Sequence, residues 1–297
     1  MLEPINVKSE DIDLLLHRHA GNCIFADSLA RIADNEELSC ALGRYVHFNS
    51  VFGGGVANLA GEVAARQDLF RDPDETVDVL ADRSVEVAAE IFFAAVDEFG
   101  AGANVRRATH RTLAQATFKG VGRFFDLTPA ELEDIVASSE ATLSAISKVR
   151  DGYSLNQTAG EEKLFRAIGF HIGSEALADQ EFNILDEFLK RKYPVLVEFL
   201  KKTRVPITGI EQPAYRWIEI HTTVEADHFN AAIHSANLAL RYYAGSETQA
   251  CVKNWILKGF SDFAMVQTEF MQGLAAGKRS NGYRVANQKN ESEYAAF

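Results

Sequence analysis

In the segment His221-Thr-Thr-Val-Glu225-Ala-Asp-His228, two histidines and a glutamate are spaced i, i+4 and i+7. On a helix these positions lie within about 60° of one another, so two imidazoles and a carboxylate project from a single face. That is a ligand set suited to iron, manganese or zinc. The plainer alternative is a polar helix face whose histidines are satisfied by water or a neighbour.

Two further segments carry chemistry-bearing residues. In Asp97-Glu98-Phe-Gly100-Ala-Gly102 the glycines end a helix just after two acids, and His110 follows near the start of the next helix. A carboxylate at one helix end and a histidine early in the next can converge on a point, although a glycine-capped C-terminus is the simpler reading. In Gly169-Phe-His171-Ile-Gly-Ser-Glu175-Ala-Leu-Ala-Asp-Gln-Glu181-Phe, His171 and Glu175 are one turn apart, and Gly169 and Gly173 permit close helix approach. Ala167, Ile168, Phe170, Ile172, Ala176 and Leu177 make this helix apolar nearly all round. A carboxylate there is costly unless it is paired or binds a metal.

The elements that must position these groups read as helices. Asp72-Pro73-Asp74-Glu75 and Thr128-Pro129-Ala130-Glu131 both show an N-cap, a proline at the first helical position and a glutamate at the third. Apolar residues recur at helical spacing after each: Val79, Leu80, Val85, Val87, Ile91, Phe92 and Val96 after the first, and Leu132, Ile135, Leu143 and Ile146 after the second. Further helical patterns cover about 9–20, 24–50, 56–70, 104–122, 160–189, 192–203, 212–243 and 247–275. Residues 218–224 (IEIHTTV) are β-rich in composition, but as a helix they place their polar positions on one face. Convincing alternating strands are absent, and the expected class is all-α. Gly53-Gly54-Gly55 is the expected hinge between an N-terminal helical extension, residues 1–70, and the main bundle, residues 71–276. The polar stretch 277–297 reads as a loose tail.

The totals exclude some functions. The 297 residues carry 30 Lys and Arg against 42 Asp and Glu, a net charge of −12, which gives no electrostatic basis for holding nucleic acid or an anionic membrane. Hydrophobic residues at 47% allow a sizeable core, and no run of about 18 apolar residues suggests a membrane span. No signal-peptide core is expected at the N-terminus. Cys23, Cys40 and Cys251 are far apart and odd in number, so neither a disulfide framework nor a zinc CxxC pair is predicted. A reducing cytoplasm is the expected compartment.

Taken in order, a DExG…H segment, a GxxxSE helix and an HxxxExxH helix resemble the haem-oxygenase-like di-iron oxidases and oxygenases. The resemblance covers roughly residues 75–275. It implies a bundle of about seven core helices without haem, and two Fe(II) ions held by Glu98, His110, Glu175, His221, Glu225 and His228. The family more often has Asp where this chain has Glu225, which leaves Asp227 as a possible contributor. The Glu98-to-His110 spacing is longer than the shortest family version, so Asp97 is an alternative to Glu98. His171 is not an expected ligand; packing beside the ligands is its expected part. A ferritin-like site fits less well, because it needs two Glu-x-x-His pairs and only Glu225 to His228 supplies one.

The implied function is O2-dependent oxidation of a small molecule, such as an amino acid or amine, in bacterial natural-product biosynthesis. O2 is the co-substrate and an external electron donor is possible, as is a homodimer. A substrate carboxylate would need a cation; Arg216, Arg166 and Lys253 are the candidates considered, and each reads more simply as a surface charge. A fatty-acid substrate would need a long apolar tunnel. The competing reading is a metal-free helical protein that binds a ligand or partner, and a closed four-ligand zinc site is a third.

Overall fold

A computed structural model describes residues 5–75, 81–100, 108–136, 139–155 and 158–274, apart from the side chains at 136, 179 and 223–226. Capping chemistry sets many of the helix starts. Thr109, Ser139 and Thr248 each accept a hydrogen bond from the backbone N–H three residues on. Those bonds open α6 (His110–Phe124), α8 (Glu140–Gly152) and α12 (Gln249–Gly273). The predicted box at Thr128 forms: Thr128 N–H donates to the Glu131 carboxylate at 2.7 Å and Glu131 N–H to Thr128 Oγ1 at 3.3 Å. It starts α7 (Pro129–Val136).

The chain is all-α. Before α6 it forms α1 (Ser9–Arg18), α2 (Gly21–Ala30), α3 (Asn35–Phe48), α4 (Phe52–Ala64) and α5 (Ser84–Glu98). After α8 it forms α9 (Glu161–Lys192), α10 (Pro194–Lys202) and α11 (Arg216–Arg241), which precedes α12. The β-rich residues 218–224 are helical within α11, as their polar spacing predicts.

Several expectations change. The pattern over 24–50 is two helices, because Asp34 accepts from Glu37 N–H and starts α3 anew. Pro73 sits in a turn rather than opening a helix. Asp72 instead binds Arg83 at 3.3 Å, Arg71 bridges to Asp82, and α5 begins only at Ser84. Val79 and Leu80 lie outside the described residues. The three glycines at 53–55 are no hinge, because they are helical within α4. A Cβ at Gly55 would lie 2.6 Å from the Tyr153 ring and one at Gly53 3.1 Å from Glu98 Oε2, so packing overrides glycine's poor helix propensity.

One hairpin was not anticipated: β1 (Arg204–Ile207) pairs antiparallel with β2 (Ile210–Pro213). Each strand has four residues and carries a proline, too little for an alternation to register. Thr208 and Gly209 turn the chain with φ of 50° and 80°.

The long α9 is the axis of the molecule and packs on α12, α11 and α2. Its approach to α12 is backbone on backbone: a Cβ at Gly169 would lie 1.8 Å from the Ile256 carbonyl oxygen, and one at Gly259 1.9 Å from that of Arg166. The N-terminal helices share this core, with Phe25, Tyr45, Phe48 and Leu59 buried in the same cluster as Phe165, Phe182, Trp217 and Phe260. Among the described residues no helix is long and apolar enough to cross a membrane. The stretch 277–297 lies outside the described residues.

Candidate metal centre

Four helices bring the predicted ligands together. Glu98 is the last residue of α5, and His110 is the first of α6. Glu175 projects from the middle of α9, and His221 and His228 project from α11. One ligand atom each from Glu98, His110 and His221 lie within 4.8 Å of one another. His228 Nδ1 is 3.5 Å from Glu175 Oε2, forming a second group. Asp97 joins the two, with Oδ2 3.3 Å from His110 Nε2 and 3.8 Å from His228 Nε2. His110, Glu175, His221 and His228 are buried, whereas Asp227 is exposed. The side chain of Glu225 lies outside the described residues.

His110 is the electrostatic hinge of the cluster. Its Nδ1 is 3.0 Å from Glu98 Oε1, so a carboxylate faces each ring nitrogen. Burial opposes its charge, but the hydrogen bonds to Asp97 and Glu98 outweigh burial and push its pKa up to about 9. The same contact with His110 holds the Asp97 carboxyl below its ordinary range. His221 behaves oppositely: burial, with His110 beside it, drives its pKa well below the ordinary value. His221 Nδ1 lies 2.7 Å from the Trp217 carbonyl oxygen, which can only accept, so Nδ1 carries the proton. Nε2 is then the basic nitrogen, the form in which histidine binds a metal. Phe182 stacks on this ring at 4.0 Å and fixes its plane.

His171 packs beside a predicted ligand, with Nδ1 3.3 Å from Glu175 Oε1. It is fully buried, and burial lowers its pKa. Its Nε2 has no hydrogen-bond partner among the described residues. Tyr153 lies 3.4 Å from its Nδ1 and 2.7 Å from Ser174 Oγ. Glu181 closes the Gly169 motif but carries no expected role there. It shares a cavity of about 40 Å³ with Glu98, Glu175, His221 and His228, and it accepts from Gln267 at 2.6 Å and Tyr45 at 2.8 Å. Its separation of six residues from Glu175 is not a same-face helical spacing, so periodicity did not group the two. The considered cations are engaged at the surface: Arg166 with Asp262, Arg216 with Glu219 and Lys253 with Asp11.

The donor set fits a divalent metal. An imidazolium held between two carboxylates is a buried cation, and a metal ion could take the place of its proton. Neutral imidazole and carboxylate are ligands for iron or manganese as well as zinc. The fold and site together define an all-α protein with a buried histidine–carboxylate cluster drawn from four helices. The chain matches no family model and no curated protein.

Proposed function

We propose that this chain is a non-haem di-iron oxidase or oxygenase that uses O2 to oxidise a small organic molecule, with the haem-oxygenase-like fold its motifs resemble. The observation that carries the reading is the meeting of Glu98, His110 and His221 from three helices, with Glu175 and His228 adjoining through Asp97. Two groups of candidate ligands with Asp97 between them suit two metals better than one closed four-ligand zinc site. Glu98, His110 and His221 would hold one iron and Glu175 with His228 the other, with Glu225 the sixth ligand. Two ferrous ions bound there would supply electrons to O2 and so generate an oxidant for a C–H or N–H bond.

The protein's own side chains do the remaining work. The Trp217 carbonyl keeps the proton of His221 on Nδ1, and Phe182 holds the ring plane. Phe93 packs edge-on against His228 at 5.6 Å, and Phe48, Phe52 and Phe263 line the inner cavity beside the buried Glu175, His221 and His228. His171 orients Glu175 from behind.

Anaerobic loading with Fe(II), counting iron per chain and then mixing rapidly with O2, tests the proposal. Two irons and a transient visible absorption are expected, with both lost in His110→Ala/His221→Ala. No uptake, or uptake unchanged in that variant, would overturn it in favour of a metal-free helical binding protein.

A further inference from the structure

The α5 helix is apolar on two sides. Its inner side, with Val87, Ile91 and Ala94, is buried where α5 packs on α4 and α11. Its outer side carries Val85, Ala89, Phe92, Val96 and Phe99, and the largest of these stand in solvent: Val85 is 63% exposed, Phe92 52% and Phe99 55%. Single exposed apolar residues are ordinary, but a continuous row marks a surface that is covered by something, and a helix apolar all round is one that is buried all round. Phe92, Phe99 and the neighbouring Phe93 leave roughly 300 Å² of ring surface open, taking about 150–250 Å² for each whole side chain. A standard interface takes about 800 Å² from each partner, so the row is the size of the apolar centre of one. Its residues step by four, three, four and three, the 3.5-residue seam by which two helices lie side by side. Along the seam the large Phe92 and Phe99 alternate with the smaller Ala89 and Val96, so an antiparallel copy sets each ring against a smaller side chain.

We infer that this face is the interface of a symmetric homodimer, in which α5 of one copy lies antiparallel on α5 of a second and covers the outer wall of the candidate metal centre. A seam that pairs with itself closes at two chains. The link to the centre is Phe93, which is 49% exposed on its outer side while its ring packs edge-on against His228 at 5.6 Å. A second copy lying on the row covers Phe93 as well. Each copy carries a net charge of −12, so the two repel and the apolar row supplies the attraction; salt screens the repulsion and strengthens the pairing. The covering of a metal centre rests on the oxidase reading, but the dimer does not.

Sedimentation velocity of the full chain across the micromolar range tests it. A concentration-dependent dimer is expected, tightened by added salt. Phe92→Glu and Phe92→Lys should each weaken it at least about tenfold, with helical circular dichroism unchanged because the ring is half in solvent. An equimolar mixture of the two variants should recover the dimer, since a glutamate then meets a lysine across the seam. A monomer at every concentration, or a dimer that Phe92→Glu leaves intact, overturns the interface. Variants that dissociate and fail to pair when mixed overturn self-pairing and leave the row to a different protein. Fe(II) should pass to a chelator at least about threefold faster from the Phe92→Glu monomer than from the wild-type dimer, and equal rates would overturn the covering of the centre. A wild-type dimer that takes up no iron would overturn the oxidase reading alone.

Discussion

His110 lies between Asp97 and Glu98, and the three together show how charge would prepare the proposed metal site. Glu98 shares the tight group with His110 and His221, while Asp97 spans toward His228. Glu98→Gln should therefore remove one iron per chain, and Asp97→Asn should keep the stoichiometry while weakening uptake by about tenfold to a hundredfold. Competition with a metal-binding dye separates the two outcomes. Glu181 predicts a pH effect on stability. Burial pushes its carboxyl from an ordinary 4.5 up to about 7, despite hydrogen bonds from Gln267 and Tyr45 that favour the anion. Between those two pH values the unfolded chain has released the proton that the folded chain still holds. This group's contribution is therefore fully present below about 4.5 and is lost as pH rises toward about 7, by a few kcal/mol at most. Urea denaturation of Glu181→Gln against wild type at several pH values should show that slope flattened. An unchanged slope would mean that Glu181 stays ionised in the fold.

Two elements set the geometry of the site, and each offers a test. The α9–α12 contact depends on glycine because the opposing atoms are backbone, which cannot rotate away. Gly169→Ala should destabilise the protein by at least about 2 kcal/mol in chemical denaturation. It should also lower iron content, because Glu175 lies on the same helix less than two turns on. The cap of α7 is separate from the ligands. Thr128→Ala should cost about 1 kcal/mol and leave iron uptake unchanged, since α7 carries none of the candidate ligands. Both glycine and cap residues were legible in sequence: the small residues of the Gly169 helix announced close packing, and Thr128-Pro129 announced a helix start. The Asp72-Pro73 pattern was the same signal in a place where it did not serve. There the Asp72 carboxylate is taken by Arg83 and by the backbone N–H of Asp74, so the cap bond goes elsewhere.

Across the whole molecule, a bound metal would tie α5, α6, α9 and α11 together. Ligand binding to the folded state alone stabilises by about 2.7 kcal/mol at a hundredfold excess over Kd. Anaerobic Fe(II) should therefore raise the Tm of the wild type and leave that of His110→Ala/His221→Ala unchanged. Helical class and the grouping of His221 with His228 were legible because the 3.6-residue period is local and each residue carries its own share of the pattern. The pairing of His171 with Glu175 is local in the same way. That Glu98 and His110 can meet was legible from a helix end followed by a helix start, whereas the arrival of Glu175 from α9 at the same place is a long-range fact that the sequence suggested only through a family resemblance. The bridge at Asp97, the burial of Glu181 and the exposure of Asp227 depend on which way each helix turns its faces once packed, and only the tertiary structure decided them.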